Sequence, residues 1–347
     1  MENETMKQSF MSVQNRSSRH RLAASRFKQV FAAGALLAAA AAATQPAVAA
    51  PEKVVVYQAF QSIMYLPLYV AMDKGFFAQN GLDVQKVTAG SGAQGVAAVI
   101  GGHADFSLQD PMTAALANLK GATLVNVANV VAGVPVWVIA PPDSALKSQA
   151  DLGGKTVSTA LPPTTSTYLL QRLIKQEKLA DVNLNTVQIG TELAPVTAGR
   201  AAAAALYEPQ VDQGIASGYK VIYAFPKAYP GGYAFSTMDT LAATIKSKPA
   251  MVAAFVKSIA QAEALIQQSP DMAKAVAVAE FPTLDKKIVE SAVDRLTSQK
   301  IYAPTPEISE QAFRNALDLQ EYIGNIKPGS VTYDSAVDDS FAKATAK

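Results

Sequence analysis

The chain has 347 residues, half of them hydrophobic and 17% charged, which allows about two domains with a sizeable core and excludes a disordered chain. The formal net charge of +2 is unevenly placed: six of the 30 basic residues fall within the first 49 positions, and the remainder carries 24 basic against 26 acidic groups, leaving no basic face for nucleic acid. Cysteine is absent and the only histidines are His20 and His103, so disulfides, thiolate chemistry, a two-histidine metal site and a histidine-centred triad are excluded from the folded part. No cofactor and no bound metal are expected.

Residues 1–49 read as a cleaved signal peptide. A basic stretch through Lys28 precedes Val30 to Ala43, fourteen residues without charge, and the small triplet Ala47-Val48-Ala49 follows. That apolar run is too short to cross a ~30 Å hydrocarbon core as a helix and suits the middle region of an export signal. No later stretch reaches 18 apolar residues free of charge. The mature chain is expected in the periplasm, not membrane-spanning, and monomeric.

From Lys53 the pattern alternates. Lys53–Tyr57 reads as a buried strand, Leu66–Lys74 as a helix stopped by Gly75, and Leu82–Val87 as a second strand. Ser91 with Gln94 three residues on forms a capping box for the next helix. Ala104–Leu108 is strand-like, and Asp110-Pro111 supplies an N-cap and an N1 proline. Thr123–Val131 and Val134–Ala140 are further β-rich runs. After Pro141-Pro142 the same grammar resumes: a strand at Lys155–Ser158, a helix from Thr165, a strand at Asn185–Ile189, helices either side of Glu208-Pro209, and extended runs at Tyr219–Phe225 and Tyr233–Met238. Beyond Thr240 the periodicity is helical. Strands alternating with helices predict an α/β fold with a largely parallel sheet, built as two units with a helical return.

Several motifs occur in an order that resembles a known family. Tyr65–Phe77 (YLPLYVAMDKGFF) followed by Gly81-Leu82-Asp83-Val84, then Gly102-His103-Ala104-Asp105-Phe106, Asp151–Val157 (DLGGKTV) and Glu208-Pro209 are similar to the signature of bacterial ABC-transporter solute-binding proteins. The branch is the one that carries nitrate, sulfonates, taurine or thiamine-pyrimidine precursors. The resemblance implies a type II periplasmic binding protein: two α/β lobes joined by a two-crossover hinge, with lobe 1 at 50–142 and 238–347 and lobe 2 at 143–237. It implies a small-molecule solute, and an ABC permease and ATPase on separate chains. One departure stands out, since Ala201-Ala202 occupies the place of the family's Val-Asp.

Ligands of open α/β sheets sit beyond the carboxyl ends of strands, near helix N-termini that attract anions. Two loops fit: Ser91 and Gly92 before one helix, and the hydroxyl run Thr164, Thr165, Ser166 and Thr167 before another. Gln109 and Asp110 end a strand, although Asp110, like Ser91, is also the N-cap its helix requires. In the first loop, where the family keeps ligand contacts, Phe60, Gln61, Met64 and Tyr65 are candidates, with core packing an alternative for Met64 and Tyr65. Glu208 carries over as a polar contact to an amine-bearing ligand or as a turn or hinge residue, and Tyr233 stands at the returning crossover. With no arginine in a cleft loop, a singly charged sulfonate- or carboxylate-bearing anion is the expected ligand. A pyrimidine-type solute, or a ligand-sensing role on the same fold, is the alternative. An enzyme of the related pyrimidine-synthase branch would need an active-site histidine, for which only His103 remains.

Overall fold

The computed structural model describes residues 50–346. The signal peptide expected over 1–49 lies outside them. Ten strands form two five-stranded sheets: β1 (Glu52–Gln58), β2 (Leu82–Thr88), β3 (Phe106–Gln109), β4 (Leu124–Val131), β5 (Trp137–Ala140), β6 (Thr156–Ala160), β7 (Asn183–Val187), β8 (Ala203–Leu206), β9 (Lys220–Ala224) and β10 (Ser236–Leu241). The first sheet has the order β2-β1-β3-β10-β4 and the second β7-β6-β8-β5-β9. Within each, four strands run in one direction, and the strand that follows a change of sheet runs antiparallel between two of them: β10 between β3 and β4, β5 between β8 and β9.

The longer helices are α1 (Leu66–Asp73), α2 (Gly92–Ile100), α3 (Pro111–Asn118), α4 (Thr165–Gln176), α5 (Gln210–Ala216), α6 (Pro249–Gln268), α7 (Pro270–Glu280), α8 (Lys286–Ser298) and α9 (Glu310–Tyr322). The long α6 buries Val252, Phe255, Val256, Ile259 and Ile266 along one face, and Phe255 stacks on Phe106 and Phe77 at centroid distances of 4.0 and 5.0 Å. The helices after β10 cover the first sheet and also reach the second lobe. Arg172 of α4 pairs with Asp318 of α9 at 3.1 Å, and Arg295 of α8 reaches Glu208 just before α5 and Asp212 within it.

The chain changes sheet between β4 and β5 and returns between β9 and β10, giving the two crossings of the expected hinge. Both come earlier than the expected boundaries. β5 already pairs in the second sheet, so Pro141-Pro142 ends a strand of that lobe rather than marking its start. Likewise β10 pairs in the first sheet from Ser236. One strand escaped the sequence reading. Ala203–Leu206 is a fully buried interior strand between β6 and β5. Alanine is a weak β-former, so the run carries no local strand signal, yet its small side chains suit an interior strand packed close against its neighbours.

Candidate ligand-binding cleft

A cavity of about 610 Å³ lies beyond the carboxyl ends of strands from both sheets. The segments after β1, β2, β3, β6, β7 and β8 all contribute to its wall, as the switch-point rule for α/β sheets requires. Three helices of eight residues or more begin at it. Ser91 caps α2, its Oγ accepting from Gln94 N at 3.3 Å; the reciprocal half of the expected capping box does not form, and Gln94 folds back toward Gly90 instead. Asp110 caps α3, with Oδ1 accepting from Met112 N at 2.8 Å. At the start of α4, Thr164 holds the N-cap position but turns its hydroxyl to Leu161 O at 2.5 Å and leaves the helix end uncapped by a side chain.

The first loop is held by a buried relay. Tyr69 of α1 donates its hydroxyl to Gln58 Oε1 at 2.8 Å and accepts from Ser62 N at 3.3 Å, and Gln58 Nε2 donates to Thr88 Oγ1 at 2.8 Å. This fixes the turn that carries Phe60, Met64 and Tyr65 into the wall. An aromatic cluster then crosses from lobe to lobe: Phe60 packs on Tyr65 at 5.5 Å and on Tyr207 at 5.6 Å, and Tyr207 on Phe235 at 6.0 Å. Burial raises the Tyr65 and Tyr207 phenols well above their ordinary value, so both are uncharged.

Asp110 joins the lobes. While Oδ1 caps α3, Oδ2 accepts the hydroxyl of Thr165 from the opposite lobe. Burial pushes its carboxyl up to about 6, against the two hydrogen bonds that favour the ionised form. Among the described residues that line the cavity it is the only carboxylic acid, and no lysine, arginine or histidine lines it.

Of the residues singled out from sequence, Phe60, Met64, Tyr65, Ser91, Gly92, Gln109, Asp110, Thr164 and Thr165 line the cavity. Met64 and Tyr65 are at once core and wall, each about 1% exposed. Five others are placed elsewhere. Gln61 turns outward to Glu280, its Nε2 3.0 Å from Oε1, because the carboxylate and carbonyl at the end of α7 outbid the cleft. Ser166 and Thr167 point away as α4 turns: the Thr167 hydroxyl bonds Thr159 and Ala160 O, and Ser166 offers its backbone N–H to the Tyr207 hydroxyl at 3.1 Å. Tyr233 is fully buried behind Phe235 and Tyr229.

Glu208 is engaged by Arg295, whose Nε donates to Oε1 at 2.7 Å and whose Nη2 donates to Asp212 Oδ1 at 2.5 Å. Burial and the adjacent Asp212 carboxylate push Glu208 up to about 8. Its backbone carbonyl accepts from Ser62 Oγ at 2.9 Å, a second tie between the lobes. His103 is exposed in the turn after α2, outside the wall.

Sequence reasoning missed Thr113, Gln188, Ile189, Tyr207, Phe235 and Ser236 in the wall. Tyr207 follows the unrecognised alanine strand, and Phe235 and Ser236 sit where the second crossing enters β10. Had Ala203–Leu206 been read as a strand, the residue at its carboxyl end would have been a candidate by the same rule that singled out Gln109.

This architecture and cleft agree with what known proteins share. A family model described as NMT1/THI5 like matches residues 62–273. The chain belongs to the NMT1/THI5-like family. Among relatives, the Bacillus subtilis protein YtlA is 25% identical over 302 residues, spanning 84% of this chain and 89% of its own. Among solved structures, the alkanesulfonate-binding protein SsuA of Xanthomonas axonopodis superposes with a TM-score of 0.67 at 18% identity, covering 84% of this chain and 98% of SsuA. The desulfurization enzyme DSZB superposes at 0.65 with 12% identity, covering 85% and 99%. At these identities the likeness is one of fold, and it establishes the two-lobed periplasmic binding protein architecture. The family model and the shared fold set this chain among NMT1/THI5-like proteins, and DSZB shows that an enzyme also has this fold.

Proposed function

We propose that this chain is an extracytoplasmic receptor which captures a small organic solute between its two lobes and delivers it to a permease and ATPase on other chains. The observation that carries the reading is the cavity itself: about 610 Å³, walled by loops of both sheets and within the volume range of small-molecule sites. A solute held there touches Phe60 and Asp110 of one lobe and Thr165 and Tyr207 of the other, contacts it can make together only when the lobes are closed. Closure is then favoured by that difference in affinity alone, and a permease that reads the closed form receives only loaded protein. The mature chain acts as a monomer in this scheme, since one copy supplies both walls.

The anion expected from sequence finds helix starts at Gly92 and Thr165 but no cationic side chain in the wall. The reading as a receptor does not depend on that anion. It is tested by purifying residues 50–347 without denaturation and releasing the bound small molecules by unfolding. The released fraction is then titrated back onto refolded protein. A single compound that rebinds saturably at one per chain, and is recovered chemically unchanged after long incubation, is the expected result. Recovery of a converted product, or no rebinding from any fraction, overturns the proposal.

A further inference from the structure

The charge in the cleft identifies the ligand's chemistry. Helix N-termini attract anions, and three of them meet here, which on its own favours an anionic ligand. That place is already taken. The Asp110 carboxylate caps α3 through Oδ1 and faces the uncapped start of α4 through its bond to Thr165, so the protein supplies its own anion where the helix ends converge. The third start, α2, is closed by the Ser91 hydroxyl.

A second anion would have to enter a site that holds a buried carboxylate and no lysine, arginine or histidine. Burying like charges together without a counter-charge is strongly unfavourable. An ionised carboxylate has about four acceptor positions, and Asp110 uses two of them in the bonds described. The rest of the wall mixes polar groups, Gln94, Gln109, Thr113 and Gln188 among them, with the aromatic rings of Phe60, Tyr65, Tyr207 and Phe235. The aromatic rings accept a planar ring against them and favour a cation near their faces. Glu208, the other carboxylate considered for an amine, is held by Arg295 and lies outside the wall.

We infer that the ligand is a small flat molecule carrying a nitrogen that donates to Asp110, charged or as an N–H, and no free sulfonate, carboxylate or other anionic group. This rests on the receptor reading, and it reverses the anion expected from the sequence.

The test is a matched panel on refolded, ligand-stripped protein (residues 50–347): benzylamine, benzyl alcohol, benzoate and phenylmethanesulfonate, followed by calorimetry and thermal shift, in wild type and Asp110→Asn. Asparagine is as good an N-cap as aspartate, so α3 keeps its cap and the variant folds, as circular dichroism checks. Wild type should bind benzylamine more tightly than either anion. Asp110→Asn should lose about tenfold or more for benzylamine while changing little for benzyl alcohol, so that their affinity ratio collapses. A general loss of structure would lower both and leave the ratio in place, and that outcome overturns the role of Asp110. Tighter binding of benzoate or the sulfonate overturns the inferred ligand class and leaves a solute receptor. No binding by any probe, together with no rebinding of natively released compound, removes the receptor reading and this inference with it. No binding by the probes while a natively released compound does rebind is decided by that compound: a nitrogen base supports the inference, an acid overturns it.

Discussion

Replacing Asp239 by asparagine should stabilise the protein at high pH and not at low pH. Asp239 is fully buried on β10, opposite Ser107 on β3. The Ser107 hydroxyl reaches its two oxygens at 2.8 and 2.9 Å, Gln109 Nε2 donates to Oδ2, and no cation takes part in the described hydrogen bonds. Burial therefore raises the carboxyl from 3.8 to about 7, even though both hydrogen bonds favour the ionised form. Between those two values the folded protein keeps a proton that the unfolded chain has released, so unfolding free energy falls as pH rises through the window. A displacement of that size corresponds to roughly 4 kcal/mol, most of it lost by pH 8.

Asparagine has no charge to bury. Its carbonyl still accepts from Ser107, and its amide can donate to Gln109 Oε1, which is buried without a partner in the wild-type protein. One rearranged neutral hydrogen bond costs about 1 kcal/mol. Urea unfolding at pH 5 and pH 8 is the assay. Asp239→Asn should lie within about 1 kcal/mol of wild type at pH 5 and about 3 kcal/mol above it at pH 8, the gap widening as pH rises. Other buried acids contribute to the slope of each protein, but the difference between the two isolates this one. Equal destabilisation at both pH values would refute the argument, because it would mean that Asp239 is ionised and fully satisfied throughout.

Arg295→Met removes the guanidinium shared by Glu208 and Asp212. It should cost about 3–5 kcal/mol in urea at pH 8 and less at pH 5, where a protonated Glu208 needs no counter-charge. The same loss at both would assign Arg295 to packing over the Trp137 ring, 5.9 Å away. Gly133→Ala places a Cβ 2.8 Å from Ile301 Cδ1 and 3.2 Å from Lys300 O in the first crossing. It should lower stability by about 1–3 kcal/mol by thermal unfolding, and an unchanged midpoint would mean that the crossing yields freely. Tyr207→Phe deletes the acceptor for Ser166 N at the buried start of α4. A loss of about 1–2 kcal/mol in urea is expected, and none would mean that water reaches that N–H.

The helix starts at the cleft were legible because a cap is a contact within four residues. Ser91 and Asp110-Pro111 each announce themselves through the chemistry of one orphan N–H and begin helices where expected; the helix at Thr165 also starts where expected, although Thr164 turns its hydroxyl away from it. Strands announced themselves where β-branched residues filled them, as in Val54-Val55-Val56, and failed where packing demanded small ones, as in Ala203-Ala204-Ala205. Contacts between segments far apart in the chain have no local signal at all. Glu208 is bound by a residue 87 positions away and Gln61 by one 219 away, so a motif that places either in the right loop says nothing about which way its side chain turns.

Asp110 carries both kinds of information. Its place before Pro111 fixes Oδ1 as a cap, as the sequence indicates. What Oδ2 does depends on where Thr165 arrives, 55 residues later and in the other lobe. That second oxygen changes the expected ligand. Seen as a cap alone, Asp110 leaves the helix ends free to hold an anion; seen with its partner across the cleft, it already is the anion, and the solute must bring the complementary charge or donor.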